Sequence, residues 1–263
     1  MMLFVAIGFV IVMWGLSTAL IFYLDSLPTH TFPSSMAVAT LVLLGCGIVI
    51  WHLRDMNSVH AIAASFAASL LAWGWTEMSL YMGYITGPRK HRCAHGCSGV
   101  AHFGHAISAN LWHELVVIGF AALIWASGNQ TALWCFAMLW LMHLSARLNV
   151  FLGVRNVSEE FVPAHMEVLK GFLRRRNMNP LFPISCTALT GLTAYLIFLP
   201  QTFSVTMAAT LAAIGLLEHV LLMLPLPIER MWHWSLSPEA RPPTHHDQQN
   251  KIDHQRTAMG VQS

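Results

Sequence analysis

Apolar residues run along this chain in blocks of about 20, separated by short clusters of glycine, proline and charge, and such runs repeat from the first residues to about position 224. Strict alternation, the mark of half-buried strands, is not the prevailing pattern. A bilayer core is crossed by about 20 mostly apolar helical residues, because lipid offers no partner for a backbone N–H or C=O. Spans are therefore predicted at 3–24, 34–53, 59–86, 101–127, 130–153, 181–199 and 204–224. The last two are divided only by Pro200 and a few polar neighbours, so six spans remain an alternative. The fold class expected is all-α: a polytopic membrane helix bundle occupying residues 1–234, with a tail at 235–263.

Composition agrees with this pattern. The 263 residues are 56% hydrophobic and 10% charged, against about 25% charged in an ordinary soluble domain. No soluble module or nucleic-acid-binding motif is visible. The first span lacks a positive flank and a small-residue cleavage site, so it reads as a retained helix.

The net charge of +2 matters less than its distribution. Arg89, Lys90 and Arg92 lie between spans three and four. Arg155, Lys170 and Arg174 to Arg176 lie between five and six, and Arg230, Arg241, Lys251 and Arg256 follow the last. Lys and Arg accumulate on the cytoplasmic side, which places the N-terminus outside and the C-terminus in the cytoplasm. Cys93 and Cys97 then lie in a reducing compartment, and a disulfide framework among the five cysteines is not expected.

Three segments fall outside the spans. The loop 87–99 carries His91, Cys93, His95 and Cys97 at every second residue, a candidate metal set, although zinc sites usually use wider spacing. Residues 160–173 show an apolar stripe of Val162, Met166, Leu169 and Phe172, as in an amphipathic helix lying in the membrane interface. Arg174, Arg175 and Arg176 at its end are expected among lipid headgroups, either as a topology anchor or as a lipid- or partner-binding element. The tail from Ser235 has almost no large apolar residue and is expected to be disordered.

Ionisable side chains inside spans are costly and so mark candidate sites. Counting residues from each cytoplasmic end, at about 1.5 Å per residue, puts Glu77, Glu114, His143 and Arg147 at comparable depth. His143 and Arg147 share a helix face, as do Asn110 and Glu114. Three readings stay open. One is a buried polar network, with Arg147 neutralising a carboxylate and Asn110, His113, His143 and Asn149 bridging helices. Another is a ligand site built on Glu77, His113, Glu114 and His143, for a transition metal or the central Mg of a tetrapyrrole. The third is proton or ion transport. Trp73, Trp75, Trp112 and Trp140 lie deep enough either to line a pigment-contacting surface or simply to pack between helices.

Several blocks are specific enough to carry a resemblance: Gly-Pro-Arg-Lys at 87–90, His-Phe-Gly-His-Ala-Ile at 102–107, Leu-Trp-His-Glu-Leu at 111–115, His-Leu-Ser-Ala-Arg-Leu-Asn at 143–149, Val-Arg-Asn at 154–156, His-Met-Glu-Val-Leu at 165–169 and Asn-Pro-Leu-Phe-Pro at 179–183. The chain resembles the PuhE-type photosynthetic-complex assembly family of purple bacteria. That resemblance implies a multi-pass protein of the bacterial inner membrane, associated with the gene for the reaction-centre H subunit. It implies a role in reaction-centre assembly and bacteriochlorophyll supply, with reaction-centre subunits, light-harvesting subunits or pigment-synthesis enzymes as partners beside the membrane lipids. The family supplies no assigned catalytic residues. A membrane metalloenzyme acting on a tetrapyrrole or another lipid-soluble substrate is the alternative.

Overall fold

The computed structural model describes residues 1–91, 97, 99–156, 166–224 and 235, apart from the side chain of Glu167. The helices are α1 (Met2–Asp25), α2 (Phe32–His52), α3 (Val59–Tyr81), α4 (Gly99–Ser127), α5 (Gln130–Leu152), the single turn α6 (Glu167–Lys170), α7 (Leu181–Phe198) and α8 (Phe203–Leu221). All but α6 are long and apolar enough to cross a membrane, which makes seven. The question of six or seven spans is decided at Pro200: Leu199 is extended, α7 stops there, and α8 restarts at Phe203 and packs back on α7. Proline cannot supply the N–H that a continuing helix needs.

Local chemistry sets the helix ends. Ser58, Asn129 and Thr202 cap α3, α5 and α8, each side chain accepting from a backbone N–H three residues on. Asn129 also joins elements, since its Nδ2 donates to Ile50 O and Ser65 Oγ, both at 2.9 Å. α5 ends at Gly153, whose φ of +113° suits glycine and whose missing Cβ makes room for the Arg176 stem. The returning chain bridges Val154 to Arg175, with Val154 N–H bonding Arg174 O and Arg176 N–H bonding Val154 O.

α3 is the most enclosed span and packs on α1, α2, α4 and α5; its alanines, serines and Gly74 permit close approach. The core groups Phe66, Leu70, Trp73, Phe136, Leu139, Met207 and Leu211 from α3, α5 and α8.

Of the segment 160–173, residues 160–165 lie outside the described set. Met166, Leu169 and Phe172 turn inward, buried with Leu80, Ala106, Ala109 and Phe151 of α3, α4 and α5. Arg175 and Arg176 are exposed, whereas Arg174 is half-buried and its guanidinium donates to Cys97 O at 3.2 Å. The tail after Ser235 lies outside the described residues.

Candidate functional site

Glu77, 4% exposed on α3, is the hub of the intramembrane layer. Its Oε2 lies 2.9 Å from His143 Nε2, and its Oε1 lies 3.4 Å from both His113 Nε2 and an Arg147 guanidinium nitrogen. The other terminal nitrogen of Arg147 donates to Glu114 Oε1 at 2.6 Å, while the second Glu114 oxygen accepts from Trp140 Nε1 at 3.1 Å. Three helices are thus fastened by two carboxylates sharing one guanidinium, with two imidazoles completing the shell of Glu77. Trp73 sets its ring edge-on to His143, with centroids 5.5 Å apart.

Five of the seven residues expected in the polar layer meet here. Asn110 does not join them, because its Nδ2 donates to Ala106 O of its own helix. Asn149 belongs to a separate string. It donates to Ser185 Oγ, Ser185 and Ser145 hydroxyls lie 2.9 Å apart, and Ser145 Oγ lies 3.0 Å from His219 Nε2. His219 Nδ1 is 2.8 Å from the Gly215 carbonyl, which only accepts, so Nδ1 carries the proton and Nε2 accepts from Ser145. At the other end Asn179 Nδ2 donates to Asn149 O and Gly153 O, while its Oδ1 accepts from Leu181 and Phe182 N–H. This string ties α5, α7 and α8. Ser145, one turn before Asn149 on the same face, was its sequence signal.

A further contact has no counterpart in the sequence reading. The N–H of His113, inside α4, donates to Thr86 O at 2.9 Å. The loop after α3 comes this close because Gly87 lacks a Cβ: one placed there would meet Ser108 O and sit 2.6 Å from the carbonyl carbon of Ala109. Lys90 Nζ bonds the Thr86 hydroxyl and holds the same loop.

The donor set Glu77, His113, Glu114 and His143 does not fit a divalent metal. Arg147 already places a positive charge against both carboxylates, and among the described residues no group of three or more His, Cys, Asp or Glu side chains is disposed to hold an ion. In the loop, Cys93 and His95 lie outside the described residues; His91 is exposed, and Cys97 Sγ lies 3.5 Å from His105 Nδ1. Of the four deep tryptophans, Trp73 packs on His143 and Phe136, Trp75 bonds Thr40, and Trp140 bonds Glu114. Trp112 alone of these four faces outward, 50% exposed.

Residues 1–243 match a protein-family model described as a protein of unknown function, DUF3623. The chain is 33% identical over 206 residues to an uncharacterized 30.4 kDa protein in the puhA 5′ region of Rhodobacter capsulatus, covering 74% of this chain and 75% of that protein. No solved structure matches it.

Proposed function

Since the chain belongs to the DUF3623 family, we propose that it is an integral membrane factor in assembly of the photosynthetic reaction centre, acting on the supply or insertion of bacteriochlorophyll. The observation that carries this reading is the relative in the puhA 5′ region, matched over 75% of its length. A scaffold role is supported by the way Arg147, Trp140 and two imidazoles surround the carboxylate oxygens of Glu77 and Glu114. A cavity of about 170 Å³ adjoins His143, whereas a bound ligand of drug size fills about 300–1,000 Å³. A tetrapyrrole macrocycle exceeds that space. The reading assigns the chain contacts with pigment-bearing subunits or pigment-synthesis enzymes. Its location is the inner membrane of a phototroph.

Deleting the gene in the bacterium that carries it is expected to lower assembled reaction centre several-fold in near-infrared spectra of membranes, with restoration by the wild-type gene. Unchanged reaction-centre and pigment content would overturn the proposal. The orientation has its own check. Reporter fusions at Ser98 and Asn129 are expected to report cytoplasm and periplasm respectively, and the same compartment for both would exclude it.

A further inference from the structure

α1 packs on α3 and α8, and α5 packs on the same two helices. α1 and α5 thus stand at opposite corners of a four-helix ring, and the cavity of about 170 Å³ lies inside it. Its walls are mainly apolar and aromatic, with Trp14 and Phe22 from α1 and Trp73 from α3. An apolar cavity of about 150 Å³ holds one benzene ring, so this one has room for a single six-membered ring with small substituents.

Polar groups face the space from two opposed sides. Ser17 and Thr18 line the α1 corner; His143 and Glu218 line the α5 and α8 side. The side chains of Ser17, Thr18 and Glu218 have no hydrogen-bond partner among the described residues. Inside a bilayer such groups are costly without a partner, and here they surround a ring-sized space. His143 lines the cavity with its side chain 36% exposed and its Nε2 2.9 Å from Glu77 Oε2. Glu218 lines the cavity and is also exposed, so the space reaches the outer surface of the bundle, where a lipid tail has a way out.

We propose that this cavity binds the head ring of a lipid-soluble quinone, with one ring oxygen accepting from the Ser17 and Thr18 hydroxyls and the opposite one accepting from the protonated carboxyl of Glu218, beside His143. A flat ring with oxygens at both ends matches aromatic walls flanked by two polar poles. An alkylammonium group is the competing ligand for a carboxyl among aromatic rings. Of the two carboxyls on the lining, Glu77 is already faced by Arg147 and two imidazoles, so such a cation would be held by Glu218 alone and would leave the Ser17 and Thr18 hydroxyls without a partner. The inference does not depend on the assembly role.

The test uses the full chain, purified in detergent and stripped of bound lipid, titrated with decylubiquinone while tryptophan fluorescence is followed. Saturable quenching is expected, because Trp14 and Trp73 form the wall. Ser17→Leu, which fills the cavity, is expected to abolish saturation, and Thr18→Val to weaken binding about tenfold, as for one lost hydrogen bond. Thr18→Val keeps the side-chain shape and so remains informative if Ser17→Leu misfolds. Linear quenching, alike in the wild type and Thr18→Val, would overturn the proposal. So would saturable binding of dodecyltrimethylammonium, lost in Glu218→Gln, without saturable binding of the quinone.

Discussion

Arg147→Met is expected to cost about 3–5 kcal/mol of stability, the range for removing one partner of a buried ion pair. The effect is large because one guanidinium serves two carboxylates. It bonds Glu114 at 2.6 Å and approaches Glu77 at 3.4 Å, with 11% of the Arg147 side chain and 5% of the Glu77 side chain exposed. Without it two carboxylates face each other across α3 and α4 with only imidazoles between, at a depth where water cannot screen them. Arg147→Lys is expected to fall between, since an ammonium lacks the planar fork that reaches both partners. The double variant Glu114→Gln with Arg147→Met should recover part of the loss, because one uncompensated charge leaves with the other. Thermal unfolding of the purified variants, read by size-exclusion chromatography after heating, checks this. An unchanged midpoint for Arg147→Met, or no recovery in the double variant, would show that the pair is not buried as described.

Gly87→Ala is the second large effect. The added methyl would meet the Ser108 carbonyl oxygen and lie 2.6 and 2.8 Å from the Ala109 carbonyl carbon and oxygen. These are backbone atoms of a packed helix and cannot swing aside. The loop must lift, and the 2.9 Å bond from His113 N–H to Thr86 O is lost with it. A cost of about 1–3 kcal/mol is expected, towards the upper end. Two other glycines calibrate the measurement. The three atoms nearest a Cβ at Gly215 all belong to the Met142 side chain, an unbranched group that can repack, so Gly215→Ala should cost less. Gly45 has nothing within 4 Å, and Gly45→Ala should leave stability nearly unchanged. Equal unfolding midpoints for Gly87→Ala and Gly45→Ala would refute the close approach. His113 couples the two experiments, for its backbone holds the loop while its ring faces Glu77.

An all-helical membrane bundle, the approximate course of its spans and the ionisable residues that share a depth are legible in the sequence, whereas the break at Pro200 and the end of α3 at Tyr81, in place of 86, are set by the folded chain. The legible properties are local. A span is recognised by about 20 apolar residues in a row, and its depth by counting at about 1.5 Å per residue. Which way each side chain turns is set by packing. Glu114 and Asn110 are one helical turn apart on α4, yet Glu114 reaches Arg147 and Trp140 while Asn110 bonds its own backbone. Asn149 sits two residues from Arg147 on α5 and joins Ser185 and Asn179 on the far side. The docking of Thr86 and Gly87 onto α4, and the cavity between α1 and α5, are likewise products of packing. Soluble helices announce their inward face by a polar one opposite, whereas these spans are apolar all round and lipid accepts any apolar face. Rotation about the helix axis is therefore fixed by where small residues let helices approach and where buried polar groups find each other, which emerges only when the helices are packed together.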